Sequence, residues 1–438
     1  MQQTPGSLVR AWSGASDDAT TGDHMHSMTD PPVNVTGGVD THADIHVAAA
    51  VCSTSHRLLD TESFPATPAG YVKLLAWLAS FGLLDAVGIE GTGTYGAGLA
   101  RFLTAEGVTL VEVDRPDRAA RRQHGKSDPV DAEAAARAVL SGRATGTPKS
   151  RNGIIEAIRV HQVVYRSAVK DRTAAINQFH AIVVSAPAEI REDLQRMALK
   201  ARLEQVRRWR DRTGDDVAHR ATRQALRELA LRIGFLDDQA QRAEAELDVL
   251  TDLAAPALLD ILGVGVHVAA QLLVTVGDNP DRITTEAAFA HLCGVAPIPA
   301  SSGKTNRHRL NRGGDRSANH ALWRIAMTRR TCDARTATYV ARRTAEGKSE
   351  REITRCLKRY IAREVHRAIT RPSPLAPRGA ELRRLRNGAG LPLRVVAELF
   401  ETNPQRLSRV ERGLTRDPDL QTRIHAWLTQ PETDQIAA

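Results

Sequence analysis

The stretch Ala86-Val87-Gly88-Ile89-Glu90 is an apolar run that ends on a carboxylate, and an earlier run ends the same way at Val39-Asp40. A short apolar run bounded by turn residues is typical of a buried strand. Two further carboxylates, Asp128 and Asp131, stand three residues apart in an alanine-rich stretch that continues to Leu140. This spacing places both side chains on one face of a helix. The sequence therefore predicts two strands and a helix that all present acidic groups.

The segments around these runs predict an alternation of strands and helices. Residues 47–51 and 57–64 are candidate second and third strands, and a helix opens at Thr67-Pro68 before the fourth strand at 86–90. The remaining elements are a helix over 95–106, a strand over 108–113 and a helix over 128–140. The order β-β-β-α-β-α-β-α is that of an RNase H-like (RuvC-like) sheet, so we expect an α/β unit at the N-terminal end of the chain.

Four carboxylates fall where this architecture would gather them: one on the first strand, one at the end of the fourth and two on the closing helix. They are Asp40, Glu90, Asp128 and Asp131. Crowded carboxylates repel one another unless cations bind between them, and hard oxygen ligands suit Mg²⁺ or Mn²⁺. Two such ions about 4 Å apart can clamp the attacking and leaving oxygens of a phosphodiester. We therefore expect a catalytic metal site that cuts or rejoins nucleic acid.

Each of these carboxylates also has a structural interpretation. Asp128, within Ser127-Asp128-Pro129, could cap a helix, and Asp40 could be a turn residue. Lower-ranked candidates nearby are Asp44, Asp114 and Glu133 as ligands and His42 and His124 as proton shuttles or phosphate contacts.

The charge of the chain is concentrated in one region. The 438 residues carry a formal charge of +9 with a pI near 9.7. Residues 301–372 hold 19 Lys and Arg against 6 Asp and Glu, a net of +13, which leaves −4 for the remainder. Such a region favours a polyanionic partner, although a solvated helical surface would look similar. A second basic segment precedes Asp128, and its candidate phosphate contacts are Arg118, Arg121, Arg122 and Lys126.

The middle of the chain, residues 151–255, is long, helical and charged. A heptad pattern is carried by Leu226, Leu229, Ile233, Leu236, Ala240, Ala243, Leu247 and Leu250. It predicts a helical hairpin or coiled coil that joins protomers or acts as a spacer arm. An intramolecular helical bundle is the alternative.

Residues 258–270 look like a helix-hairpin-helix element. Gly263 and Gly265 flank a valine, and glycine permits the tight turn that such an element needs. Backbone N–H groups beside a helix N-terminus favour a phosphate. We expect contact with a nucleic-acid backbone here, and a purely structural hairpin is the alternative.

A second chemical feature follows in a Gly/Pro-rich loop that contains Ser301 and Ser302. A serine hydroxyl that attacks a phosphodiester needs a base or metal to remove its proton and cations to hold the developing charge. The cations that follow the serines are Lys304, Arg307, Arg309 and Arg312. Taken alone, Ser-Ser-Gly is common in structural loops.

These motifs together resemble the DEDD-type insertion-sequence transposases, a family that includes the Piv invertase. The resemblance is carried by Gly38-Val39-Asp40-Thr41-His42, Glu90-Gly91-Thr92-Gly93, Lys126-Ser127-Asp128-Pro129-Val130-Asp131 and the loop Gly294-Val295-Ala296-Pro297 with Ser301-Ser302-Gly303. It covers about residues 34–370. One departure is the sequence Ser-Ser-Gly-Lys-Thr-Asn, where many relatives have a second glycine.

The resemblance implies a RuvC-like catalytic domain, a coiled-coil spacer and a second transposase domain. It further implies that Ser302, with Ser301 as the fallback, forms a covalent phosphoserine link to DNA. Members of this kind are guided by a structured noncoding RNA that pairs with donor and target DNA. They assemble as tetramers in which the serine domain of one protomer completes the metal site of another, so a homo-oligomer is expected.

The C-terminal segment extends beyond that match and resembles a Cro/repressor-type helix-turn-helix. Its third helix, which would enter the major groove, begins near Asn403-Pro404. The residues expected to contact bases or phosphates are Gln405, Arg406, Ser408 and Arg409. Docking of protein partners is an alternative role.

The chain is therefore expected to contain six parts. They are a disordered leader (1–33), the catalytic domain (34–145), the helical spacer (151–255), the second transposase domain (256–371), a linker (372–379) and the helix-turn-helix (380–430). The sequence has neither a membrane-spanning apolar run nor a signal peptide, and its four cysteines lack metal-ligand spacing. A cytoplasmic, nucleoid-associated protein is expected.

The function expected from these features is RNA-guided DNA recombination by a mobile element, with metal ions and Ser302 in the chemistry. A metal-only Holliday-junction resolvase or nuclease is one alternative, in which Ser302 merely contacts phosphate. A transposase-derived repressor that acts through the C-terminal helices without catalysis is another.

Overall fold

A computed structural model describes residues 33–113, 127–210, 214, 216–304, 308–371, 379–411, 415 and 417–430. The chain divides into two compact units, residues 1–152 and 153–438.

The first unit is a five-stranded sheet with helices. Its elements are β1 (Asn34–Thr41), β2 (Ile45–Cys52), β3 (Leu58–Pro65), α1 (Pro68–Ser80), β4 (Leu83–Glu90), α2 (Ala97–Ala105), β5 (Leu110–Val113) and α3 (Asp128–Leu140). The strands lie in the order β3-β2-β1-β4-β5. β1 is antiparallel to β2 and parallel to β4, and β4 is parallel to β5. This mixed sheet confirms the predicted order of strands and helices.

Several predicted boundaries in this unit are wrong by two or three residues. The second and fourth strands begin earlier than predicted, at Ile45 and Leu83. The helix expected from residue 95 begins at Ala97, because a turn occupies the glycine-containing residues before it. The strand expected from residue 108 begins at Leu110. Gly107, which follows α2, has a φ of +79°. This left-handed conformation reverses the chain and delays the start of the strand.

Helix α3 lies on the sheet at very short range. A Cβ atom built on Gly38 of β1 would lie 2.1 Å from the carbonyl oxygen of Ala132. A Cβ atom on Gly88 of β4 would lie 2.8 Å from the carbonyl oxygen of Ala135. Only glycine permits this approach, and the alanine-rich face of α3 fits it. The other face of the sheet carries a core of larger side chains, among them Leu74, Leu78, Ile89, Leu99 and Leu103.

The second unit begins with two long helices, α4 (Ile154–Ser185) and α7 (Val217–Ala254), and two shorter ones between them, α5 (Ala188–Gln195) and α6 (Leu199–Arg207). The buried stripe of α7 consists of Leu226, Ala230, Ile233, Leu236, Ala240, Ala243, Leu247 and Thr251. Leu229 and Leu250, which the heptad pattern included, are only partly buried. Phe179 and Val183 of α4 share a core with the first part of this stripe, so α4 and α7 form a hairpin within the chain.

The helical part that follows packs around α9. Its elements are α8 (Pro256–Leu259), α9 (Val266–Val276), a short 3₁₀ helix (Pro280–Arg282), α10 (Glu286–Leu292), β6 (Ile298–Pro299), β7 (His308–Arg309), α11 (Arg316–Cys332), α12 (Ala334–Ala345) and α13 (Glu350–Thr370). One hydrophobic core, centred on Leu272, Phe289, Leu322 and Ile361, joins these helices to α4 and α7.

Four further helices end the described chain: α14 (Gly379–Gly388), α15 (Leu393–Leu399), α16 (Pro404–Glu411) and α17 (Pro418–Leu428). They share a separate core that includes Leu382, Val396, Leu407 and Ile424. Gly379, which the prediction assigned to the linker, is the first residue of α14. The other linker positions, 372–378, and the leader up to residue 32 lie outside the described residues. Within the described ranges, every helix is too short or too polar to cross a membrane.

Candidate functional site

Asp40 and Glu90 lie side by side at one edge of the sheet. The parallel strands β1 and β4 are in register up to the pair Val39 and Ile89, and the two acidic residues come directly afterwards. The hydroxyl of Thr41 donates a hydrogen bond of 2.8 Å to the backbone oxygen of Glu90, which ties the two strand ends together. The parallel pairing therefore explains why two acidic residues 50 positions apart in sequence stand at the ends of neighbouring strands.

Helix α3 brings the other two carboxylates to the sheet. Asp128 is its first residue, and Ser127 occupies the N-cap position, so the interpretation of Asp128 as the cap is wrong. Asp131 is buried at 3% exposure. Its charge acts on Asp40, so it lies on the face of α3 that approaches β1. Carboxylates in the first turn also interact favourably with the positive end of the helix dipole.

Asp40, His42 and Asp128 form a compact cluster. His42 Nε2 lies 3.2 Å from Asp40 Oδ2 and 3.5 Å from Asp128 Oδ1. One ligand atom from each residue lies within 4.8 Å of the other two, which is a spacing that can hold a metal ion. Asp40 is nearly buried, whereas His42 and Asp128 are half-exposed. The cluster is therefore open to solvent on one side, where a phosphodiester could reach it.

The electrostatics of the cluster favour a cation. Burial raises the pKa of Asp40, and the negative charges of Asp131 and Asp128 raise it further. The charge and hydrogen bond of His42 oppose these effects and lower the pKa of Asp40. Like charges held this close resist ionisation unless a positive group compensates them. A divalent ion bound between these side chains would supply such a charge.

The sequence ranking placed His42 below the four carboxylates. The spacing between His42 and Asp40 could have indicated that both belong to the site, since residues i and i+2 of an extended segment point to the same face. Of the other candidates, Glu133 forms a salt bridge with Arg137 along α3. Asp44 is exposed in the turn between β1 and β2. The remaining candidates near this site lie outside the described residues: Asp114, Arg118, Arg121, Arg122, His124 and Lys126.

The serine loop connects the two short strands β6 and β7. Ile298 pairs with Arg309 and Pro299 with His308, so the described residues 300–304 lie at the tip of a hairpin. Ser301, Ser302 and Lys304 are all exposed there. Gly303 has a φ of +54°, and a Cβ atom on it would meet nothing within 4 Å. The tip is therefore accessible to a large substrate. Arg307 lies outside the described residues.

A partly buried hydrogen-bond network fixes the base of this hairpin. Gly294 has a φ of +64°, and a Cβ atom on Gly314 would lie 2.1 Å from the Gly294 nitrogen. The Asn319 side chain donates hydrogen bonds of 3.0 Å to the carbonyls of Cys293 and Gly294. Lys358 Nζ donates to Asn319 Oδ1 at 2.8 Å. Gly294 and Gly314 therefore serve close backbone packing. Neither Asn319 nor Lys358 was among the sequence candidates.

The two glycines of the candidate helix-hairpin-helix lie in a turn before α9. Gly263 has a φ of +86°, a left-handed conformation that favours glycine. Gly265 is the N-cap residue of α9, so the first N–H groups of this helix lie next to it. Of the basic residues expected near the serines, Arg309 and Arg312 are exposed.

Helix α16 presents three of the four residues expected to read DNA. Gln405, Arg406 and Arg409 are exposed, and Ser408 is half-buried. Arg406 already forms an ion pair of 2.6 Å with Asp417. A phosphate contact by Arg406 would therefore compete with this pair, whereas Gln405 points to solvent.

Two transposase family models match the chain. A model for the DEDD domain of IS110 elements, described as "Transposase", matches residues 37–186. A model described as "Transposase IS116/IS110/IS902 family" matches residues 255–341. The first match contains the carboxylate cluster, and the second contains the serine hairpin.

A curated relative from Streptomyces coelicolor carries the name "Insertion element IS110 uncharacterized 43.6 kDa protein". It is 35% identical over 124 residues, which is 28% of this chain and 30% of the relative. The aligned part thus spans less than a third of the relative. Together, the two family matches and this relative identify residues 37–186 and 255–341 as domains of IS110-family transposases.

Proposed function

We propose that this protein is the transposase of an insertion sequence and that it cuts and rejoins DNA through a covalent serine intermediate. Asp40, Glu90, Asp128 and Asp131 hold Mg²⁺ or Mn²⁺, and Ser302 is the nucleophile. The observation that supports the metal part of this proposal is the cluster of Asp40, His42 and Asp128, whose ligand atoms lie within 4.8 Å of one another. The serine part rests on the exposed hairpin tip within the second transposase match.

The donor set suits a hard divalent cation. Carboxylate oxygens are the preferred ligands of Mg²⁺ and Mn²⁺. Burial raises the pKa of Asp40 most and the charges of Asp131 and Asp128 raise it further, and such an ion would relieve this repulsion. When bound, it would neutralise charge on the scissile phosphate. His42 then either remains as a ligand, which Mn²⁺ accepts better than Mg²⁺, or turns outward to the phosphate.

The proposed cleavage step transfers a phosphoryl group from a deoxyribose oxygen to Ser302 and needs no oxidant or reductant. Ser302 Oγ loses its proton and forms a bond to phosphorus, the bond from phosphorus to one deoxyribose oxygen breaks, and that oxygen takes up a proton. The phosphoserine link conserves the energy of the broken bond. In the rejoining step the hydroxyl of another DNA end attacks the same phosphorus and releases Ser302. In this proposal Lys304, which is exposed near Ser302, would hold the developing negative charge.

The wider assembly is also a proposal. We infer that a structured noncoding RNA selects the DNA sites and that protomers associate as a dimer or tetramer, with the α4–α7 hairpin as the joining element. The positive charge of residues 301–372 supports binding of a polyanion. The four C-terminal helices would act as a helix-turn-helix on DNA, with Gln405 and Arg409 exposed for contact.

Metal-only cleavage is the second candidate function. The carboxylate cluster by itself is sufficient for hydrolysis by a metal-activated water, as in resolvases and nucleases. In that case Ser302 contributes a phosphate contact and no protein–DNA adduct forms. A catalytically inactive repressor would tolerate loss of the carboxylates altogether.

Excision of the element from its natural flanks separates these candidates. Junction PCR would detect the excised circle in cells that express wild type, Asp40→Asn, Ser301→Ala or Ser302→Ala, with Asp44→Asn as the matched exposed control. We expect circles from wild type, Asp44→Asn and Ser301→Ala alone. Circles from Ser302→Ala but not Asp40→Asn would support metal-only cleavage. Circles from every variant would refute both catalytic assignments.

The covalent link has its own test. The purified protein would be incubated with flank DNA labelled at either end and then denatured. A labelled protein band that is lost in Ser302→Ala, and that resists washing in detergent, is the expected result. Cleaved DNA without such a band would overturn the serine mechanism.

A further inference from the structure

A groove of about 770 Å³ lies at the base of the serine hairpin. Its walls are the loop from Gly294 to Pro297, strand β7, and helices α12 and α13 with their connection. The cations that line it are Arg309, Arg343, Lys348, Arg355, Lys358, Arg359 and Arg363. Glu352 is the carboxylate among the lining residues. A groove of this size accommodates a nucleotide-sized ligand, and its charge favours an anion.

Lys358 forms part of the floor of this groove. The residue is 8% exposed, yet its ammonium donates one hydrogen bond, to Asn319 Oδ1, within the described residues. It forms no ion pair with any carboxylate that the structure describes. A buried ammonium without a counter-ion is costly, because desolvation removes water and nothing replaces its charge compensation. Lys358 therefore has hydrogen-bonding capacity left for a ligand in the groove.

The other lining cations fall into two groups. Arg359 and Arg363 share Glu286, and Arg343 pairs with Glu346. Arg309, Lys348 and Arg355, by contrast, make no ion pair with a carboxylate of the described ranges. The charge of Glu352 acts on Lys348 and Arg355, so within the described residues one carboxylate faces these three cations and Lys358, and the groove keeps an excess of positive charge. This excess is located at one place and is not spread over a solvated helix surface.

The protonation equilibrium of Lys358 agrees with an anion site. Burial lowers the pKa of Lys358, and the positive charge of Arg355 lowers it further. An anion in the groove would oppose both effects and stabilise the charged ammonium. Ligand binding and protonation of Lys358 would then be coupled.

We propose that this groove binds a backbone phosphate of the DNA strand that enters the serine loop, with Lys358 as the buried ligand and Arg309, Lys348 and Arg355 around it. Arg309 belongs to β7 and pairs with Ile298, three residues before Ser301, so the groove and the serines share one hairpin. A phosphate held here would fix the strand relative to the loop. This inference rests on the proposed function, because it takes DNA as the substrate.

The test uses the full-length protein with Ser302→Ala, so that binding is measured without cleavage. Affinity for a short fluorescein-labelled DNA duplex would be measured by anisotropy over a salt titration. Lys358→Met is compared with Lys358→Arg and with the control Arg351→Met, an exposed cation on the same helix outside the groove. Losing one phosphate contact should lower the slope of log affinity against log salt by about 0.9. It should weaken binding by about 10- to 100-fold, the range expected for the loss of one hydrogen bond to a charged group.

We expect Lys358→Met to lose both affinity and slope, while Lys358→Arg and Arg351→Met stay near the starting protein. A purely structural role for Lys358, through Asn319, would lower the melting temperature and leave the slope unchanged. Arg355→Met tests the same groove in case Lys358→Met does not fold. Arg355 lies on the rim of the groove, so this variant keeps the hydrogen bond between Lys358 and Asn319 and should also lower the slope. If Arg351→Met lowers the slope as much as either groove variant, the proposal is overturned.

Inorganic phosphate and an RNA duplex provide the other arms. One outcome is that phosphate raises the melting temperature of the starting protein but not of Lys358→Met, while the two proteins bind DNA equally well. This outcome would indicate a site for free phosphate and would refute the proposal. If Lys358→Met lowers the salt slope of RNA binding but not that of DNA binding, the groove does not bind DNA and the proposal is refuted. Because Ser302→Ala cannot cleave by serine attack, these results are independent of the excision assay. Either hypothesis can therefore fail without the other.

Discussion

The Cβ position of Gly38 lies 2.1 Å from the carbonyl oxygen of Ala132, so β1 and α3 are in contact backbone to backbone. This contact determines how far Asp131, one residue before Ala132, stands from Asp40, two residues after Gly38. A larger residue at position 38 would separate the helix from the strand. The proposed metal site therefore depends on a residue that has no side chain.

Gly38→Ala should disrupt the carboxylate cluster. The added methyl group cannot fit, and overpacking of a core typically costs about 1–3 kcal/mol or more. We expect a lower melting temperature and weaker Mn²⁺ binding, measured by thermal unfolding with and without the ion. Gly146→Ala is the control, since a Cβ atom there would lie 3.7 Å from the nearest atom. Equal melting temperatures for the two variants would contradict the proposed contact.

Metal binding at Asp40 should depend on pH. Its pKa is raised above 3.8, chiefly by burial, so protons compete with the metal at higher pH than at an ordinary aspartate. Since a raised carboxyl pKa favours the protonated folded state, ionisation of Asp40 costs stability as the pH rises from 3.8 through the raised pKa. Mn²⁺ should remove this loss. The expected result is a melting-temperature gain from Mn²⁺ that grows with pH over this window and disappears in Asp40→Asn.

Glu286 should contribute to acid stability. Hydrogen bonds from Arg359 and Arg363 lower its pKa from 4.5 to about 2. A lowered carboxyl pKa adds stability above the unfolded value, and that stability is lost as the pH falls from 4.5 towards 2. Glu286→Gln should make the melting temperature less dependent on pH over this range. Glu350→Gln, which alters a more exposed ion pair with Arg330, should show the same pH dependence as wild type. Parallel curves for wild type and Glu286→Gln would argue against the ion pairs.

The same substitution should strengthen DNA binding at neutral pH. Loss of the Glu286 charge frees Arg359 and Arg363, both of which line the groove. We expect tighter binding of the labelled duplex by Glu286→Gln and a steeper salt dependence, the reverse of the effect of Lys358→Met. Binding that is unchanged or weaker would indicate that DNA does not occupy the groove.

Arg386 and Glu411 should hold the C-terminal helices together. Two hydrogen bonds of 2.6 and 2.8 Å join the nearly buried side chains, and Arg386 also donates to the Leu391 carbonyl. Removing one partner of a buried pair typically costs about 3–5 kcal/mol. Glu411→Gln should therefore speed amide hydrogen exchange throughout α14–α17 and leave β1–β5 protected, whereas the exposed Arg383→Met should change neither. Exchange confined to the mutated helix would contradict a shared core.

Much of the first unit followed from the order of residues. The apolar runs before Asp40 and Glu90 and the spacing of Asp128 and Asp131 depend on local periodicity, which a single sequence displays. The sheet order followed from the element order, because few topologies accommodate it. The start of α2 was placed two residues early, since helix ends depend on turn geometry that periodicity does not describe.

The sequence by itself determined which elements form and which carboxylates end them, because periodicity, turn residues and run lengths act between near neighbours. Tertiary structure alone decided that His42 faces Asp128, 86 positions away. It also decided that Lys358 is buried at the base of the serine hairpin, with no ion pair to a carboxylate of the described ranges. Such facts depend on the packing of distant segments through glycines such as Gly38 and Gly314. Side-chain burial and charge compensation are properties of that packing, so they became visible only in three dimensions.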